Sequence, residues 1–212
     1  MKKAFLIVIS LVFFLALHAQ DEEYGYRNRD EFKTIFGGRS LGGYGSLGIG
    51  YTLIEDRPGV SFDARGGVVL GHSFAVGVGG VGFINTEEFV PSITADVSLT
   101  GGYGGIFGEF IVLPRSQVHL SFPILAGMGA MAATSWTQVN TDVNYESVVE
   151  QVSIFMIVEP SVELEFNFTR FFRMAGFFSY RFTTDIDMDR EFASAGSLIN
   201  YTAGLRFKFG KF

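Results

Sequence analysis

Glu159–Phe182 reads EPSVELEFNFTRFFRMAGFFSYRF, and its alternation decides the fold. In the first half Val158, Pro160, Val162, Leu164, Phe166 and Phe168 share one face, while Glu159, Ser161, Glu163, Glu165 and Asn167 share the other. In the second half Phe172, Met174, Gly176, Phe178, Tyr180 and Phe182 oppose Arg173, Ser179, Arg181 and Thr183. A side-chain period of two is the signature of a strand. Phe168-Thr169-Arg170 is a tight connection, so the two runs make a hairpin. A water-soluble sandwich alternates as well. Here, however, the pattern runs from about residue 40 to the last residue behind a secretion signal, which fits strands with lipid outside and a polar interior.

That signal is Met1–Ala19: Lys2 and Lys3, the apolar run Ala4–Ala16, then Leu17-His18-Ala19 before the polar Gln20-Asp21-Glu22-Glu23. Residues 20–39 are charged and aperiodic and read as a periplasmic lead-in, leaving 40–212 for the barrel. The absence of cysteine excludes a disulfide framework, a lipid-modified N-terminal cysteine and thiolate chemistry. Without the two leader lysines the chain holds 14 basic against 22 acidic residues, a net charge of −8, which disfavours a nucleic-acid partner. The chain has 24 Phe, 27 Gly and only 18% charged residues, with a mean hydropathy of +0.29. Beyond the leader, Gly, Pro or charge interrupts every run that could form a membrane helix. Apolar composition without such a helix is the mark of a small membrane barrel.

Working outward from the hairpin, Leu41, Gly43, Gly45, Leu47, Ile49, Tyr51 and Leu53 alternate with polar or small residues, and Asp56-Arg57-Pro58-Gly59 is turn chemistry. Val60, Phe62, Ala64, Val68 and Leu70 then face out, with Ser61, Asp63, Arg65 and Gly67 in. A turn at Gly71-His72-Ser73 leads to Phe74–Ile84, and a loop from Asn85 to about Ala95 to a glycine-rich strand at about Val97–Val112. Pro114–Gln117 turns into Val118–Met128, whose continuation to Trp136 is also strand. Thr137–Gln151 reads as a long acidic loop, Thr184–Gly196 as another, and Leu198–Phe209 as the last strand.

The fold expected is therefore all-β: a transmembrane antiparallel up-and-down β-barrel of eight strands in the cell outer membrane, with short periplasmic turns and longer outer loops. Ten strands would follow if Ser92–Ser98 and Phe32–Phe36 were strands. Gly43-Tyr44-Gly45 and Gly102-Tyr103-Gly104 recur 59 residues apart, which under eight strands places them on strands running in opposite directions. Tyr51, Phe62, Tyr180 and Phe182 would form an outer aromatic girdle, and Phe74, Phe110, Phe172, Phe207 and Phe209 a periplasmic one. Phe212 is out of phase with Phe207 and Phe209.

The same phase sends Asp63, Arg65, Glu109, His119, Glu159, Glu163, Glu165, Arg173, Arg181, Arg206 and Lys208 into the lumen. Across the hairpin Glu165 falls near Arg173, and Glu159 near Ser179 or Arg181. Balanced charge in so narrow an interior is best read as a plug, because unpaired charge there is costly. A proton or solute path is the alternative.

Gly43-Tyr44-Gly45, Arg65-Gly66-Gly67, His72-Ser73-Phe74, Val118-His119-Leu120-Ser121, Thr169–Arg173, Ser179-Tyr180-Arg181 and Lys208–Phe212 together resemble the small outer-membrane β-barrel proteins common in Bacteroidota. The resemblance spans nearly the whole chain after the leader. It implies fold and location, and no catalytic residues.

Residue types for three chemistries are present. His119, Ser121 and Glu109 match the residue types of lipid A deacylase barrels, but the phase puts them inside, away from lipid. Asp185, Asp187 and Asp189 offer oxygens for calcium without the glycine and glutamate of a calcium loop. Gly77–Gly80 lacks the lysine and helix of a phosphate loop. No catalytic set, metal site or cofactor is expected. The function expected is a structural or surface-interaction role through the outer loops, with a narrow channel second and a lipid A-modifying hydrolase third. The partners expected are outer-membrane lipid and lipopolysaccharide, an unidentified surface ligand, and the insertion machinery through the C-terminal strand.

Overall fold

The computed structural model describes residues 41–91, 95–114, 116–138, 145–189 and 192–212. The segments read as leader and lead-in lie outside them. The strands are β1 (Leu41–Ile54), β2 (Arg57–Leu70), β3 (Phe74–Asn85), β4 (Glu88–Val90), β5 (Ala95–Val112), β6 (Val118–Gln138), β7 (Tyr145–Asn167), β8 (Phe172–Tyr180), β9 (Phe182–Thr183) and β10 (Tyr201–Lys211). Neighbours run β3-β2-β1-β10-β8-β7-β6-β5, and β3 pairs β5, so the sheet closes on itself. The wall has eight strands. β4 pairs only the start of β5, and β9 continues β8 along β7. Residues 95–98 of the extra strand considered above are the beginning of β5, while 92–94 and Phe32–Phe36 lie outside the described residues.

Closure has a physical cause. In hydrocarbon each unpaired backbone N–H or C=O costs several kcal/mol, so only a sheet without edges spans a membrane. Among the described residues no helix is long and apolar enough to cross. Alternation then sorts the side chains: Ile154 is 77% exposed to the outside while its neighbour Phe155 is 1% exposed. Leu47, Ile49, Phe62, Val78, Ile106, Met156 and Leu164 line the same outer surface. Inside, where β5 and β6 run closest, a Cβ on Gly105 would strike the Ala126 carbonyl and stand 2.7 Å from the Gly127 Cα. Glycine there lets the wall bend tightly.

Several boundaries differ from the sequence reading. The first turn is Glu55-Asp56, both left-handed (φ 53° and 58°), and Arg57, Pro58 and Gly59 already belong to β2. A two-residue mirror turn matches the twist of its strands better than the Pro-Gly turn suggested by composition. At the other end Gly71 and His72 are also left-handed (φ 61° and 64°), within a three-residue connection between the paired Leu70 and Phe74. The segment read as the loop 137–151 is mostly strand: Gln138 pairs Tyr145, with a register shift between Ala133 and Thr134, and 139–144 lie outside the described residues. Val148, Val149 and Val152 favour strand regardless of the acids between them.

The last strand begins at Tyr201, not Leu198. Residues 184–189 and 192–200 instead fold over the barrel mouth, where Ile186, Phe192, Ala193 and Leu198 join the buried apolar cluster of Ile54, Phe83, Val97, Leu99, Met131 and Phe155. The Glu55 carboxylate fastens this cover by accepting bonds of 2.9 Å from both the Ser194 amide and its hydroxyl. The Glu55 amide donates to the Ser197 carbonyl at 3.0 Å.

Candidate functional site: the lumen charge network

Inward-pointing positions on β2, β5, β6, β7, β8 and β10, and Arg181 between β8 and β9, carry the ionisable residues, and the barrel brings them to one interior. Asp63, Arg65, Glu109, His119, Glu159, Glu163, Glu165, Arg173, Arg181, Arg206 and Lys208 are all buried. Most form one connected cluster around Lys208, which is 2% exposed. Its Nζ lies 2.5 Å from Glu109 Oε1, 2.6 Å from Glu165 Oε1 and 2.7 Å from Glu163 Oε2, the last an ion pair without hydrogen-bond alignment. Arg206 donates Nε to Asp63 Oδ1 at 2.8 Å and Nη1 to Glu163. Arg65 stands 3.8 Å from the same Asp63 oxygen.

Glu165 gathers a second group. Ser121 donates its hydroxyl to Oε1 at 2.6 Å, His119 Nε2 lies 3.0 Å from Oε2, and Arg173 donates Nη1 at 3.5 Å. The β7–β8 register sets Asn167 opposite Arg173 and Ala175 opposite Glu165, so this ion pair is diagonal. Below it the Arg173 guanidinium sits 3.7 Å above the Phe212 ring, which packs 5.5 Å from the Tyr44 ring. Phe212 is out of phase with Phe209 because it turns inward, against Arg173 and Tyr44.

Glu159 and Arg181 stand apart from the cluster. Glu159 accepts from Tyr103 at 3.0 Å and Ser179 at 2.6 Å, both neutral hydroxyls. Arg181 donates Nη2 to Thr52 Oγ1 at 2.6 Å and to the Leu53 carbonyl at 3.0 Å, while its Nε and Nη1 lack a partner. Arg65 likewise leaves Nε and Nη2 without a hydrogen bond. Neither guanidinium is idle: Arg65 faces the Phe107 ring at 5.9 Å and Arg181 the Phe83 ring at 6.0 Å.

The sequence reading missed the tyrosines as members of this interior. Tyr44 donates to Glu109 as Tyr103 does to Glu159. The signal was the Gly-Tyr-Gly echo, which places one inward tyrosine on β1 and one on β5, each reaching a glutamate on a strand that is not its neighbour.

Among the described residues the one group of carboxylates close enough to ligate an ion together is Glu109, Glu163 and Glu165, and the Lys208 ammonium occupies their centre. Asp185, Asp187 and Asp189 do not converge: the Asp187 and Asp189 amides bond Ser153 and Gln151 along the edge of β7. His119 and Ser121 are 3% and 0% exposed on the lumen face and meet through Glu165 rather than each other. They offer no nucleophile to lipid.

A closed antiparallel wall, apolar outside and charged within, defines a small outer-membrane β-barrel protein. The sequence matches no protein-family model and no curated protein. Solved structures match it in fold. Neisserial surface protein A is similar with a TM-score of 0.50 at 12% identity, over 81% of this chain and 97% of that one. Ail, the attachment invasion locus protein of Yersinia pestis, in a complex with the heparin analogue sucrose octasulfate, is similar with a TM-score of 0.51 at 14% identity, over 80% of this chain and 98% of that one.

Proposed function

We propose that this chain is a plugged outer-membrane barrel that acts at the cell surface through its outer loops, in a structural or surface-interaction role. The observation that supports a plug is the filling of the lumen from both ends: the Lys208 cluster and Phe212 toward the short turns, the apolar cover of Ile186, Phe192, Ala193 and Leu198 at the mouth. A pore needs a continuous wet path, and a binding protein does not. The resemblance to Bacteroidota barrels, lipopolysaccharide around the belt and recognition of β10 by insertion machinery belong to the same proposal.

The loop end is acidic, which fits a cationic ligand. Asp56, Glu87, Asp96, Asp185, Asp187 and Asp189 are exposed there, and Arg57 is tied to Glu88. A polyanion such as the sucrose octasulfate in the Ail complex suits that surface poorly.

Conductance of the purified barrel in a planar bilayer tests the plug, with Glu165→Gln and Arg173→Gln beside the native chain. Silence in all three is expected, with heat-modifiable gel migration confirming that each is folded. Steady current altered by either substitution would establish the narrow channel instead. The second reading has one observation in its favour, since the unpartnered donors of Arg65 and Arg181 are positioned to hold water.

A further inference from the structure

At the turn end, the β7–β8 turn and the end of β10 enclose a pocket of about 480 Å³ lined by Asn167, Phe168, Arg170, Arg173, Lys211 and Phe212. Arg170 and Lys211 are exposed, no carboxylate side chain lines the pocket, and neither makes an ion pair among the described residues. The Asn167 Oδ1 is buried without a hydrogen-bond partner in the same wall, although its Nδ2 donates to the Ser116 carbonyl at 2.7 Å. The pocket therefore offers two cations without an ion-pair partner among the described residues.

Its rim continues the lipid-facing surface. Phe172 stacks on Phe209 at 5.0 Å, and the tilted rings of Phe168 and Phe171 pack against Phe172 at 5.7 Å and Phe209 at 6.3 Å. Phe168 and Phe171 are 59% and 62% exposed. Aromatic rings of this kind sit at headgroup level, and short turns of outer-membrane barrels face the periplasm. The rings thus place the pocket at the inner leaflet, within reach of its headgroups.

We propose that this pocket binds the phosphate ester of an anionic inner-leaflet phospholipid, with Arg170 and Lys211 on the phosphate and acyl chains along the phenylalanine rim. Arg173 is committed to Glu165 and Phe212 and forms the pocket floor. The ligand chemistry is a phosphate monoanion, and the continuity of the rim with the belt selects lipid over free phosphate as its source.

Native mass spectrometry of the full-length folded barrel tests this, titrated with phosphatidylglycerol, phosphatidylcholine or inorganic phosphate. One basic side chain at an anionic surface contributes about fivefold in affinity, so R170Q/K211Q should weaken phosphatidylglycerol retention about 25-fold and leave phosphatidylcholine unchanged. Arg170→Lys should keep the preference. Both substituted side chains lie outside the core, and gel migration reports folding. Equal retention of the two lipids by the native chain, or an unchanged preference in R170Q/K211Q, overturns the site. Saturation by inorganic phosphate with no lipid retained overturns the lipid source.

Discussion

Lys208 and Arg181 are both buried cations on the lumen wall, and they differ in what they leave behind when removed. Lys208→Met strands Glu109, Glu163 and Glu165 around an empty centre. Removing one partner of a buried ion pair costs about 3–5 kcal/mol, and that loss should appear as a lowered urea midpoint in lipid vesicles. Arg181→Met removes two donors that have no partner along with two hydrogen bonds, so its cost should stay within about 1 kcal/mol. Equal losses for the two would mean that Arg181 carries an interaction with the lumen charges that its bonds do not reveal. The direction in which each residue points was legible in the sequence, because a period of two fixes the face of Glu163 once Leu164 is known to face out. Which acid meets which base was not legible. Glu109 reaches Lys208 across 99 positions of sequence, and that pairing depends on the stagger of a closed barrel.

Among the elements, the cover formed by residues 184–189 and 192–200 is where composition misled most. Leu198 looks like the start of a strand because it is apolar, yet it is apolar because it is buried in the mouth. Acids likewise made the β6–β7 hairpin look like a loop, although strand pairing tolerates polar side chains wherever a face meets water. The turn at Glu55-Asp56 was hidden by the Pro-Gly dipeptide next to it. Leu198→Asp tests the cover. A carboxylate cannot remain in that apolar cluster, and each 1.4 kcal/mol of lost docking energy multiplies the open population tenfold. Limited proteolysis within residues 184–200 should therefore quicken by at least about tenfold while the strands still migrate as a folded barrel. Unchanged cleavage would mean that the Glu55–Ser194 bonds alone hold the cover down.

At the scale of the whole molecule, charge is divided between the two ends. Exposed acids crowd the loop end, whereas Arg170 and Lys211 mark the turn end with no exposed carboxylate side chain in the described turns. Asymmetry of this kind steers ligands by sign. In calorimetry a short lysine-rich peptide should bind the barrel in nanodiscs and weaken as salt rises, while sucrose octasulfate gives no heat. Asp187→Asn with Asp185→Asn should reduce the peptide affinity by several-fold. Octasulfate binding with the peptide inert would reverse the assignment of the outer surface. The barrel class was legible from alternation sustained over nearly the whole chain, since no soluble arrangement needs so much apolar surface on one side of every strand.

The seam of the wall sets a schedule for making it. β1 pairs β10 from Gly43 with Lys211 to Thr52 with Thr202, so the first strand synthesised waits for the last. No partial chain can close, and every shorter product presents two raw edges to whatever surrounds it. The ribosome must finish before the membrane can begin. In the interval the polypeptide has to be escorted unfolded, and a cell short of such escorts would lose this protein while it is still in transit.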